Sequence, residues 1–175
     1  TARQLIEWLL LVLGAVGLAM VIRGTLFQAF YIPSPSMEPT LHGCTGCDND
    51  RILVNKLSYK LHSINRGDIV VFFSPANGQR LVKRVIGLPG DTLELRNNRL
   101  LLNGRAVDYT PLDERVMNAL PATTPPQHEF ASEQLPAHPH AVMATPALPA
   151  RRDFGPVSVP AGQYFMLGDN RDNSL

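Results

Sequence analysis

The 175-residue sequence is poor in cysteine (two), tryptophan (one) and aromatic residues in general (7%), and it has no run of charge of either sign. Lys and Arg number 16 against 15 Asp and Glu, a formal net charge of +1, and no basic block or basic aromatic stripe is present. That balance leaves no electrostatic case for a nucleic-acid partner. Cys44 and Cys47 in GCTGCDND are too few for a four-ligand zinc site, because the His residues nearby are isolated. No metal and no cofactor is expected. A local disulfide, free thiols and a redox pair stay open for the two cysteines, in that order of preference. Disorder is excluded too, since 45% of the residues are hydrophobic and the net charge is small. The length suits one modest domain plus an anchor.

What is present begins with an apolar run. WLLLVLGAVGLAMVI, from Trp8 to Ile22, carries no charge, and Leu5 and Ile6 extend it past Glu7 towards the ~20 residues that a helix needs to cross a bilayer. A cleaved secretory signal competes with this reading, but the next segment, RGTLFQAFYIP, offers no small-x-small cleavage site. The expectation is an uncleaved anchor over residues 1–24. Its orientation is open from charge alone, because Arg3 and Arg23 flank it about equally.

Beyond the anchor the pattern is that of a mainly β domain over residues 25–175. RILVNKLSY, GDIVVFF, RLVKRVIGL, TLELR and RLLLNG are short Val-, Ile-, Leu- and Phe-rich runs bounded by Gly, Pro, Asn or Asp, and they predict strands. Asn97-Asn98 and Asn103-Gly104 fall where two-residue hairpin turns belong. An antiparallel meander is the expected result. From Thr110 to Pro149 prolines recur among Ala and Thr, which predicts a long surface insertion over about 110–150, without a long helix or a central strand. His138 and His140, as H-P-H, read there as solvated loop residues. Two further strands are predicted in VSVP and QYFML, ahead of GDNRDNS.

Three residues invite chemistry. Ser34 and Ser36 stand between prolines in PSPSMEPT, a setting that also suits a stiff spacer. A serine hydroxyl becomes a nucleophile only when a base takes its proton. His42 lies closest but has no context marking it as a base. Lys83, in RLVKRVIGL, stands among Leu81, Val82, Val85 and Ile86. Burial there would lower its pKa from ~10.4 towards neutrality and let it act as that base. Taken alone, the same lysine also fits the exposed face of an edge strand.

PSPSMEPTL, KRVIGLPGD and GDNRDNS, in this order behind an apolar span, resemble the bacterial type I signal peptidases, membrane serine proteases with a Ser/Lys dyad. The resemblance implies an antiparallel β-sheet catalytic domain with Ser36 as nucleophile and Lys83 as general base. It implies that Ser174 orients the lysine, and that the Ser34 hydroxyl joins the Ser36 amide in holding the oxyanion. Arg84 and Asp169 match a supporting ion pair, and Asp172 and Asn173 are expected to shape the turn. Phe30, Ile32, Met37, Leu81 and Val82 match substrate-pocket positions, with plain core packing as the alternative. The family continues past the position of Ser174, so the chain is expected to be cut short at its C-terminus.

The same resemblance implies a hydrolase acting in protein secretion. Its substrates would be secretory preproteins, cut after small residues at -3 and -1, and its second partner the lipid bilayer. It also implies a single-pass protein of the cell membrane with the catalytic domain on the extracytoplasmic face, which agrees with a Cys44-Cys47 disulfide. Two other readings stand beside it. One is a self-cleaving Ser/Lys protease of the repressor class; the other is a non-enzymatic anchored β-domain that binds a partner by strand addition.

Overall fold

The computed structural model describes residues 2–119 and 128–174, which form two compact units. The first, residues 2–31 with 51–63, contains helix α1 (Ala2–Thr25), strands β1 (Phe27–Tyr31) and β2 (Arg51–Asn55), and a single helical turn, α2 (Ser58–Leu61). α1 runs 24 residues, its most apolar 18-residue stretch has a mean hydropathy of 2.5, and none of its side chains is buried. At 1.5 Å per residue it is about 36 Å long, more than the ~30 Å of a hydrocarbon core. The apolar run that looked slightly short in the sequence is thus one continuous helix, long and apolar enough to cross a membrane. β1 and β2 pair antiparallel, Phe27 opposite Asn55 and Tyr31 opposite Arg51. The stretch 51–59 therefore joins LFQAFY instead of leading into a meander, and its strand stops at Asn55.

The second unit, residues 32–50 with 64–174, carries the remaining elements. In chain order these are β3 (Ile69–Phe73), β4 (Arg80–Gly87), β5 (Thr92–Arg96), β6 (Arg99–Leu102), β7 (Arg105–Ala106), β8 (Tyr109–Thr110), α3 (Glu114–Ala119), β9 (Glu129–Glu133), β10 (His140–Ala144), β11 (Phe154–Ser158) and β12 (Phe165–Leu167). Two 3-10 turns, Pro35–Met37 and Arg171–Asn173, complete it. The strands form three antiparallel sheets, ordered β10-β9-β8, β11-β5-β6-β7 and β12-β4-β3. Asn97, Asn98, Asn103 and Gly104 all have positive φ, from 46° to 74°, as the hairpin turns between β5, β6 and β7 require.

β4, eight residues long, is the middle strand of its sheet, flanked by β3 and β12. Residues 83 to 87 are all buried, so Lys83 does not occupy the exposed edge that its residue type also permitted. The core collects Ile86 from β4, Leu93, Leu95 and Leu100 from the β5-β6 hairpin, Leu135, Val159, and Leu167 from β12. Each fully buried aliphatic side chain contributes about 1.5–3 kcal/mol, enough to fix β4 and β12 side by side. Pro156 interrupts β11, where the register shifts between Phe154 and Val157; β11 is an edge strand, where a missing donor is tolerated.

The proline-rich stretch departs from the expectation. Residues 120–127, including Pro121, Pro125 and Pro126, lie outside the described residues. The segment from Glu129 to Ala144 is not a surface loop, because β9 is the central strand of its sheet and Leu135, Val142 and Met143 are buried. Proline bars the position it occupies and biases its neighbours, and the proline-free windows 129–133 and 140–144 are each long enough for an ordinary strand. The H-P-H expectation fails for the same reason: His138 is exposed, but His140 opens β10 and is buried.

His138 also explains Gly67, whose φ is +92°. A Cβ there would lie 2.3 Å from the His138 Cβ. Gly67→Ala should therefore cost about 2 kcal/mol or more, combining a left-handed backbone with a clash. A urea midpoint equal to wild type would show that His138 gives way freely.

Candidate active site

Ser36 lies in the 3-10 turn Pro35–Met37. Pro35, with φ pre-set and no amide hydrogen to satisfy, opens the turn, and Ser34 precedes it in extended conformation. The two hydroxyls face each other, Ser34 Oγ to Ser36 Oγ being 3.3 Å. Ser36 is buried and Ser34 exposed. The turn packs against β4 on one side and against the turn Arg171–Asn173 on the other.

Three contacts tie the turn to the segment after β12. Asn170 donates its backbone N–H to the Ser36 carbonyl at 3.2 Å and its side-chain amide to the Pro35 carbonyl at 3.1 Å. Gly168 leaves the third close approach open: a Cβ on it would lie 2.2 Å from the Ser36 carbonyl oxygen and 2.4 Å from the Ser174 Cβ. Ser36 and Ser174 thus meet across a residue that has no side chain. The Ser174 Oγ is buried and lacks a hydrogen-bond partner among the described residues.

Lys83 stands on β4, the strand that the Ser36 turn packs against, opposite Val70 of β3. Only 9% of it is exposed. Burial lowers its pKa from 10.5 to about 8, and the nearby Asp169 carboxylate opposes part of that fall by favouring the charged amine. Arg84, next along the strand, binds Asp169 through both ends of its guanidinium, Nε to Oδ1 at 2.9 Å and Nη2 to Oδ2 at 2.6 Å. Its Nη1 donates to the Gly67 carbonyl, and Thr40 donates its hydroxyl to Asp169 Oδ2. With 7% and 1% exposed, Arg84 and Asp169 form a buried bidentate pair joining β4 to the segment that carries Gly168, Asn170 and Ser174. Removing one partner of such a pair typically costs about 3–5 kcal/mol.

A second layer lies behind the first. Arg171 is 3% exposed; it donates to Glu133 Oε1 at 2.8 Å and to the Gly168 carbonyl at 3.2 Å. Tyr109 donates its hydroxyl to the other oxygen of Glu133. Asp172 accepts from the Thr145 amide, the Asn98 side chain and Arg152, which fixes the last turn as its sequence position suggested. Gly168, Asn170, Arg171, Glu133, His140 and Thr40 join the site only through the fold; sequence reasoning gives none of them a role in it. Asn170 and Arg171 sit inside the GDNRDNS motif, which is the signal that could have found them; Glu133, in EFASEQ, carries no signal of its own.

The residues matched to pocket positions separate. Ile32 and Met37 are 2% and 1% exposed and serve as packing. Leu81 and Val82 are half-buried on β4, where strand alternation puts Leu81 on the face of Lys83 and Val82 on the other. Phe30 belongs to the first unit, half-buried on β1. Cys44 and Cys47 form a disulfide with Cα atoms 5.6 Å apart. His42, whose Nδ1 is 2.8 Å from Glu38, lies beside them, but sulfurs bonded to one another offer no thiolate to a cation.

The second unit therefore carries a hydroxyl pair in a turn that packs against β4, a buried amine on that same strand, and a buried hydroxyl beyond Gly168, with one buried ion pair joining β4 to the segment after β12. A family model described as signal peptidase, peptidase S26, matches residues 5–175. The chain belongs to that family. A signal peptidase I of Bacillus licheniformis is 35% identical over 172 residues, covering 98% of this chain and 77% of the relative. Signal peptidase I of Bacillus amyloliquefaciens is 37% identical over 169 residues, covering 97% and 72%. Signal peptidase I S of Bacillus subtilis is 35% identical over 175 residues, covering 99% and 78%. A solved signal peptidase I from Enterococcus faecalis covers 63% of this chain and 80% of its own at 32% identity; with a TM-score of 0.34 it adds nothing to the fold already described. As a signal peptidase the protein is a serine endopeptidase that removes signal peptides, and the reading as a non-enzymatic binding domain falls away.

Proposed function

We propose that this signal peptidase cuts exported preproteins by a Ser36 nucleophile and a Lys83 general base. In the first step neutral Lys83 takes the Ser36 proton as Oγ attacks the scissile carbonyl. The resulting ammonium then protonates the leaving amine, and the neutral lysine activates a water to release the acyl-enzyme. Ser174, its hydroxyl otherwise unpartnered among the described residues, orients the amine. The Ser34 hydroxyl and the Ser36 amide receive the developing oxyanion; losing such a donor typically costs ~10² to 10³ in turnover. Ser34 stands 3.3 Å from the nucleophile, in reach of the same reacting carbonyl.

The observation that carries this reading is a lysine on the central strand of a sheet, 9% exposed and lowered to about pKa 8, in a strand that the Ser36 turn packs against. A substrate strand docking over it excludes more water and pushes the amine further towards neutrality. The substrate adds as an extended strand along the site, and shallow apolar walls that include Leu81 accept only small side chains at -3 and -1. Residues 1–24 anchor the protein once in the cell membrane, and residues 25–175 act on its extracytoplasmic face, an oxidising side that suits the Cys44–Cys47 bridge. The bilayer presents the apolar helix of the preprotein to the same site.

The test is cleavage of a model preprotein by the full chain in detergent. Ser36→Ala should lower kcat by about 10⁴ or more and leave the thermal midpoint unchanged. Wild-type turnover in that variant would end the proposal. For the unaltered enzyme, kcat/KM should rise about tenfold per pH unit between about pH 7 and 8 and level off above that, because the base must be unprotonated.

A further inference from the structure

His140 lies where the two buried ion pairs meet. Its Nδ1 is 3.1 Å from the His138 carbonyl oxygen, which can only accept, so Nδ1 carries the hydrogen. In the neutral ring Nε2 is then a bare lone pair. It has no hydrogen-bond partner among the described residues, and it lies 3.4 Å from Glu133 Oε1 and 3.7 Å from Asp169 Oδ1, with 5% of the side chain exposed. A lone pair facing two carboxylate oxygens leaves Nε2 without a donor and adds nothing to the bonds that Arg171 and Arg84 already make to those oxygens. One proton would turn it into a charged donor shared between both anions.

The charges around this seat decide when it fills. Glu133 of β9 and Asp169 after β12 attract a proton; Arg84 of β4 repels it. Arg171 and Tyr109 occupy the far side of Glu133, and Lys83 shares Asp169. Burial is the largest influence and, with Arg84, holds His140 below the usual histidine pKa. Arg84 and Arg171 already balance Asp169 and Glu133, so a proton on His140 adds net charge to a buried cluster that also contains Lys83.

We propose that His140 is a positioning residue for the cleavage reaction: when protonated it draws Asp169 to itself and away from Lys83, so the amine gives up its proton more readily and activity persists into mildly acidic conditions. His140 acts through Asp169 and never touches substrate. Protons on His140 and on Lys83 then oppose one another, and Asp169 is the group through which each senses the other.

Two measurements on the full chain in detergent test this. The first is the acid limb of kcat/KM on a model preprotein, each protein normalised to its own maximum. A single base gives a straight limb. Wild type should flatten in the acid range and retain about tenfold more activity there than the line extrapolated from about pH 7 to 8. His140→Gln, which cannot take up a proton, should follow the straight line. The second is the titration of His140 by NMR with labelled histidine, which decides the matter even if the Gln variant folds poorly. In Lys83→Met the His140 transition should move to higher pH, because a cation beside its acceptor is gone. Parallel straight limbs in both proteins, or a His140 transition unmoved by Lys83→Met, would overturn the proposal, since a purely structural histidine changes overall rate without bending the profile. The inference rests on Lys83 as the base; cleavage surviving in Lys83→Met defeats that assignment, whereas an unmoved His140 defeats only this one.

Discussion

Lys83→Arg should leave a folded protein whose preprotein cleavage is lower by about 10³ or more, although the charge at the position is preserved. A guanidinium stays protonated throughout the accessible pH range and cannot accept the Ser36 proton. Lys83→Met should lose as much activity and gain stability at neutral pH. The folded-state pKa of Lys83 is about 8, below its value of 10.5 outside the fold, so the unfolded chain binds more protons between those limits. The resulting penalty is fully present below about pH 8 and disappears as pH rises through 10.5. The full shift, discounted for residual solvent around a side chain that is not wholly enclosed, is worth about 2 kcal/mol. Urea unfolding at pH 7 and again near about pH 10.5 checks this: Lys83→Met should exceed wild type at the first pH and lose most of that advantage at the second. Equal midpoints at pH 7 would mean that the amine carries no desolvation cost, and near-normal cleavage by Lys83→Arg would remove it from the chemistry.

Gly168→Ala should also be damaging, by about 10² in rate, although it adds a single methyl group. The new Cβ would need the space 2.2 Å from the Ser36 carbonyl oxygen and 2.4 Å from the Ser174 Cβ. Neither neighbour is the free end of a flexible side chain, so the turn bearing the nucleophile and the turn bearing Ser174 must separate. A displacement of about 1 Å in a catalytic constellation costs ~10² in rate. The loss should fall mainly on kcat, with KM little changed, because the residues that would receive the substrate strand are elsewhere. Wild-type kcat in Gly168→Ala would show that the contact between the two turns is not what aligns the hydroxyls.

Much of this is readable in the chain. An apolar run without charges specifies a long exposed helix, and Asn97-Asn98 and Asn103-Gly104 specify hairpins because few other residues accept positive φ. Residue type, context and resemblance together single out Ser36 and Lys83. What local patterns do not contain is strand order. RLVKRVIGL reads equally as an edge or a middle strand, and its placement between β3 and β12 decides whether Lys83 is desolvated. The proline count over 110–149 misleads because it averages over a window, whereas each proline constrains its own position and its neighbours; two clean five-residue strands lie between them. Glu133 and His140 are illegible for a related reason. A buried carboxylate and a solvated one look alike until Arg171 and Asp169, distant in sequence, are brought against Glu133 and His140.

Gly168 and Asn170 bind the Ser36 turn from a point more than 130 residues further along the chain. A ribosome supplies the nucleophile early, the amine midway and the clasp last. If the proposed roles hold, a product that ends before 168 lacks the segment that clasps the Ser36 turn, and it should show no preprotein cleavage.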